Sequence, residues 1–206
     1  MPSTPASGPA DTTPGHGAQG RRADARRNIT AILDAALTCL SRDPDVSIGD
    51  IAKAAGVGRV TLYGHFPSRA ELVDAVFGRI LGQADQALAA ADTTGDPKRG
   101  LTHLIASSWR IIAQFRALLV AAERELPAER IRGHHDRVLR HIRTLVARGQ
   151  DDGVFRDDLP VSWLVAVFYS TLHSAADEIT AGRLPEHDAA RVITATLLSA
   201  YTPPAD

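Results

Sequence analysis

Apolar positions along the chain recur at helical spacing almost throughout. Between Arg22 and Ser41 the residues Ile29, Ile32, Leu33, Ala36, Leu37 and Leu40 form one stripe, which predicts an amphipathic helix stopped by Asp43-Pro44. Ser47-Ile48-Gly49-Asp50 places a carboxylate three residues after a serine, a helix start, and Gly56-Val57-Gly58 breaks that short helix. A second short helix is expected from about Arg59 to Phe66. After Pro67, Ser68-Arg69-Ala70-Glu71 opens a longer helix that runs through Leu72, Val76, Phe77 and Ile80 towards Ala91.

Further helices are expected at about 97–114, 115–125, 128–152, 160–181 and 185–201, separated by Gly153, Gly182 and prolines. No segment alternates apolar and polar residues between turn pairs, as a strand would. The fold class is therefore all-α, with about nine helices and no sheet. Residues 1–20 contain no Leu, Ile, Val or Phe and many Pro, Gly, Ser and Thr, which predicts a disordered tail. The domain expectation is this tail, a unit of short helices over 21–70, and a larger helical unit over 71–206.

Composition narrows the function. The 206 residues are 44% apolar, enough for a substantial core. One cysteine, Cys39, rules out an internal disulfide and fits a reducing cytoplasm, where a small packed thiol is the ordinary role. No apolar run reaches the roughly 18 residues of a membrane span, and no charged-then-apolar leader opens the chain, so a cytoplasmic protein without membrane contact is expected. The net charge of −1 hides an asymmetry: residues 21–70 carry +3 and residues 71–206 carry −3. A basic end on an otherwise acidic chain points to a polyanionic partner.

The two short helices joined by a glycine-containing turn have the make-up of a helix-turn-helix. Gly56 suits the turn; Ile51, Ala54, Val57, Leu62 and Phe66 are placed to pack inward; Arg59, Thr61, Tyr63 and His65 are placed to present donors. Ser47 to Val57 followed by Gly58-Arg59-Val60-Thr61-Leu62-Tyr63-Gly64-His65-Phe66-Pro67-Ser68-Arg69 resembles the second and third helices of TetR-family regulators. The motif covers about residues 25–75, and helix number and order extend the likeness along the chain. Gly153-Val154-Phe155-Arg156-Asp157-Asp158-Leu159-Pro160 with Trp163-Leu164 is similar to the family's approach to helix eight.

The resemblance implies that Ser47, Tyr63, His65 and Arg69 meet phosphates, while Arg59, Val60 and Thr61 face base edges and Gly58 allows close approach. Where Gly64 stands the family often has a bulky side chain, so that contact is lost here. The resemblance further implies a homodimer on a palindromic double-stranded operator, built by the last two helices. Their apolar residues include Leu164, Val165, Phe168, Leu172, Val192, Ile193, Leu197 and Leu198. It also implies an apolar small-molecule effector, for which Trp109, Ile112, Phe115, Phe168, Leu172 and His173 are candidate contacts.

A repressor released by such an effector is the first reading; a small-molecule-binding protein of the same fold with weak or no operator binding is the alternative. No nucleophile elbow, phosphate loop or metalloprotease pattern is present, so enzyme activity and a cofactor are not expected. Neither is a metal: His134 and His135 are adjacent and diverge on a helix, and His173 with Asp177 is a common spacing.

Overall fold

The computed structural model describes residues 16–204. Among these the chain forms α1 (His16–Leu40), α2 (Ile48–Ala54), α3 (Arg59–His65), α4 (Arg69–Ala89), α5 (Pro97–Gln114), α6 (Arg116–Glu125), α7 (Ala128–Asp151), α8 (Val161–Thr180) and α9 (Glu186–Tyr201), with no strand. No single helix among them is long and apolar enough to cross a membrane.

One boundary differs from expectation. The helix expected from Arg22 begins at His16, so residues 16–20, counted with the tail, are helical. The physical reason is that Pro14 is the last proline before the apolar stripe; a helix nucleated by Ile29, Ile32 and Leu33 meets no breaker as it propagates backwards. The rest of the tail expectation, residues 1–15, lies outside the described residues.

Side chains bury themselves in two clusters. The first gathers Ile32, Ala36 and Leu40 of α1, Ile51 and Ala52 of α2, Leu62 of α3 and Leu72, Val76, Phe77 and Ile80 of α4, together with Leu118, Leu119, Ala121 and Ala122 of α6. Thus α6 completes the core on which the two short helices stand. The second cluster joins α5, α7, α8 and α9 through Leu101, Leu104, Ile105, Ile142, Val146, Leu164, Phe168, Leu172, Ile193 and Leu197. The long helix α4 contributes to both, which makes it the mechanical link between them.

A polar seam holds α7 to α4. Arg130 donates twice to Asp74, at 2.7 and 2.6 Å, and the Nε2–H of His134 donates to the same carboxylate at 2.7 Å. These partners, Arg130 first, hold Asp74 down to about 2. Further along, His141 Nε2–H donates to Asp85 at 2.8 Å.

The C-terminus is tied down by Tyr201, whose buried hydroxyl donates to the Leu164 carbonyl at 2.6 Å and whose ring meets Phe155 edge-on at 5.3 Å. Tyr201→Phe is expected to cost about 1 kcal/mol, the ordinary net worth of one buried hydrogen bond, with the ring packing kept. Urea denaturation of the two proteins checks it; identical midpoints would show that the bond carries nothing.

Candidate DNA-reading face and effector cavity

The reading face begins with α2 and its two ends. Ser47 caps the helix by accepting the Asp50 N–H at 3.1 Å, and its hydroxyl donates to Asp50 Oδ2 at 2.6 Å. At the other end Gly56 adopts φ 68°, which an L side chain resists. There the Val57 N–H reaches the Ala52 carbonyl and the Gly56 N–H reaches Lys53, the paired bonds of a Schellman stop. The chain then enters α3, whose inner face is anchored by the wholly buried Leu62.

What α3 leaves outside is unusual for a helix of seven residues. Val60 is 88% exposed and Tyr63 is 48% exposed, beside exposed Arg59 and Gly64. These positions share one face, one turn apart. A valine left almost wholly in water on a helix anchored by its opposite face gains nothing for folding, whereas apolar side chains of this size read thymine methyl groups. Thr61 and His65 flank the face, half-buried. The Arg59 side chain lies back over Gly49: a methyl group added there would collide with the guanidinium.

Two of the residues expected at phosphates have other partners here. Ser47 is engaged in its cap. Arg69, the first residue of α4, is half-buried and spends its guanidinium inside the protein: Nε donates to Glu125 Oε1 at 2.9 Å, Nη2 to the Pro44 carbonyl at 2.7 Å, and Nη1 to the Val46 carbonyl. Arg124 pairs with Asp45 beside it. The start of α4 is thereby stitched to the end of α6 and to the α1–α2 loop, a tie between elements 56 residues apart that no local pattern announces.

The chain matches the family model described as bacterial regulatory proteins, tetR family, over residues 32–76, the segment that holds α2, α3 and the start of α4. The chain is a DNA-binding transcriptional regulator whose helix-turn-helix segment matches the tetR-family model. LfrR of Mycolicibacterium smegmatis, named an HTH-type transcriptional repressor, is 28% identical over 174 residues, 84% of this chain and 89% of its own. EthR of Mycobacterium tuberculosis, an HTH-type transcriptional regulator, is 42% identical over 60 residues, 28% of each chain. The crystal structure of LfrR in complex with proflavine superposes with a TM-score of 0.69 at 26% identity, covering 85% of this chain and 97% of that one.

Behind the reading face the helices also enclose a cavity. Its volume is about 70 Å³, and it lies between α4, α5, α6, α7 and α8. Of the six residues expected at an effector, Ile112, Phe115, Phe168 and His173 line it. Trp109 and Leu172 do not: both are buried in the second core cluster, 5% and 1% exposed. Periodicity marked all six as apolar-face residues but could not separate the part of each face turned to the cavity from the part turned to the core. The sequence reading missed Phe77, Ser108, His135 and Tyr169, which also line it.

His135, Tyr169 and His173 form its polar side. The Nδ1–H of His135 donates to the Ile131 carbonyl at 2.9 Å, and burial pushes this imidazole below the usual histidine range. Burial, reinforced by His135 and Arg116 and opposed by Asp177, pushes His173 down to about 4. Burial and the nearby Glu123 push the Tyr169 phenol up.

A stability prediction follows from the sign of the histidine shifts. The unfolded chain takes up protons near pH 6.5, the folded one only near 4, so unfolding gains protons in that interval and stability falls as pH drops from about 6.5 to about 4. The loss is on the order of 1–3 kcal/mol after discounting for partial solvent screening. Asp74 acts in a lower window, below its ordinary value of 3.8, so the two contributions separate. Melting temperatures across pH for the protein and for His173→Gln check this; parallel curves would refute it.

Proposed function

We propose that this regulator is a homodimeric repressor that grips a palindromic operator with one α3 per protomer and lets go when a small molecule enters the cavity. The exposed face of α3 carries the DNA half of the proposal: Arg59, Val60 and Tyr63 stand outside a helix whose only anchor is Leu62. In this reading residues 21–70 form the DNA-binding unit and residues 71–206 respond to the effector and dimerise. A palindrome matches a two-fold protein, with the recognition helices in successive major grooves.

For the dimer, the outward faces of α8 and α9 are the proposed surface. Most of the large apolar residues on these helices are spent inside the protomer: Leu164, Leu172, Ile193 and Leu197 are buried there, and Val192 and Leu198 are half-buried. The faces left outside are small, with Ala166, Ser170 and Ser174 on α8 and Ala195 and Ser199 on α9, next to Trp163 at 57% exposure. Small residues let two helix pairs approach closely. Leu197→Asp would therefore unfold the protomer rather than split a dimer. Ala195→Arg, at an exposed position, is the informative change, expected to give a folded monomer by light scattering at micromolar concentration; a wild-type monomer would sink the dimer.

Effector release is supported by the geometry of the walls. Leu118 and Leu119 of α6 and Phe77 and Ile80 of α4 line the cavity, and the same two helices carry the Arg69–Glu125 tie. The cavity is smaller than the roughly 150 Å³ that holds a benzene, so a ligand must part these walls and shift the start of α4, which carries the reader. A gel shift with the promoter beside the regulator's own gene tests the whole proposal. Binding should weaken steeply with salt through counterion release; absence of a shifted band at low salt would refute operator binding.

A further inference from the structure

The cavity carries chemistry that a simple apolar hole does not need. His135, Tyr169 and His173 meet there, with ring centroids 5.1 Å apart between His135 and Tyr169, 4.2 Å between Tyr169 and His173, and 6.0 Å between the two imidazoles. His173 Nδ1 is buried with no hydrogen-bond partner in the chain. His135 has committed its Nδ1–H to a carbonyl, so in the neutral ring Nε2 is a bare acceptor. The only other polar lining residue, Ser108, donates its hydroxyl to Leu104 at 2.7 Å.

No lining side chain is a carboxylate. Of the acids nearby, Asp177 is ion-paired with Arg116, Glu123 stands 4.0 Å from Arg116, and Asp136 adjoins His135; Arg116 Nη1 is itself buried without a hydrogen bond. A cation entering here would shed its water against a largely apolar lining and find no carboxylate in that lining to pair with it. A pure hydrocarbon would leave His173 Nδ1 unanswered, a buried polar atom without a partner. An O–H donor on an apolar body answers both conditions.

We infer that the effector is an uncharged aromatic or aliphatic lipophile bearing one phenol-type hydroxyl, which donates to the His135–His173 pair while its body lies against Phe77 and Phe168. The inference rests on the reading of this cavity as the effector site. It assigns an uncharged class, whereas the LfrR crystal structure holds proflavine.

Three probes separate the classes: 2-naphthol, 2-methylnaphthalene of the same size, which replaces the hydroxyl by a methyl group, and the larger proflavine. Calorimetry on the full chain should give 2-naphthol at least a ten-fold advantage over both others. In His173→Phe the advantage over 2-methylnaphthalene should vanish while affinity for the hydrocarbon and for operator persists. Should that variant fold poorly, Tyr169→Phe, which keeps the ring, should retain most of the advantage, and His135→Leu should lose it. Proflavine binding more tightly than 2-naphthol, or an advantage that survives both histidine changes, would overturn the inference. Operator release is read separately by gel shift. Naphthol that binds with its advantage but releases no DNA supports the assigned class and refutes the effector reading. Release by 2-methylnaphthalene as readily as by naphthol upholds that reading and overturns the class.

Discussion

Changing Arg69 to lysine is expected to lower stability by about 2–4 kcal/mol even though the charge is kept. The guanidinium serves three acceptors in different directions, the Glu125 carboxylate and the carbonyls of Pro44 and Val46. A single ammonium on a shorter reach cannot satisfy all three, and a half-buried carbonyl left without a donor costs roughly 1–3 kcal/mol. The neighbouring Arg124–Asp45 pair is exposed and offers little compensation. Urea denaturation measures the loss directly. The salt dependence of operator binding then distinguishes the tie from a phosphate contact. If Arg69 met a phosphate, lysine would preserve affinity and Arg69→Met would shallow the salt slope by about one per protomer. As a tie, both variants weaken binding through a loosened reader and leave the slope where it was. Wild-type stability in Arg69→Lys would refute the tie.

Arg69 also shows where sequence reasoning stops. Local signals sufficed for the helix order, for the Ser47 and Ser68 caps and for the Gly56 turn, because each depends on residues within one turn of one another. Arg69 looked like a free basic residue at a helix start, and its acceptors on the α1–α2 loop and α6 become neighbours only when α4 packs against both. The same limit governs the cavity. Trp109 and Ile112 lie three residues apart on α5, yet one is core and the other lines the cavity, because α5 packs against different helices around its circumference. Leu197 counts in the apolar excess of the last two helices that, with the resemblance, suggests a partner; packing in the second core cluster uses it inside the protomer. Tyr169 gave no signal in isolation. Its position one residue after Phe168 and four before His173 places it near both on α8, but only the approach of His135 from α7 turns the three into a cluster.

On the reading face, the largest effect is expected from Arg59 because the proposed two-fold assembly counts each change twice. A bidentate contact between a guanidinium and guanine is worth about 1–3 kcal/mol of discrimination against a wrong base, hence about 2–6 kcal/mol over two half-sites, a factor of roughly thirty at the low end. In the free protein the Arg59 side chain rests over Gly49, so it must swing away from α2 to reach a base edge; the glycine keeps that resting place open without clamping it. Arg59→Ala should therefore lose preference at one symmetric base step while still binding duplex DNA. Tyr63→Ala should behave differently. Its half-exposed ring shares the face with Arg59 and Val60, and in the proposed complex its hydroxyl meets the phosphate backbone, which has no sequence to read. Affinity should fall for operator and random duplex by the same factor. Competition against operators altered symmetrically in both half-sites checks the pair. An Arg59→Ala protein with the parental preference at every position would remove this residue from base reading and leave the exposed Val60, with its contact to a thymine methyl, as the remaining source of specificity on α3.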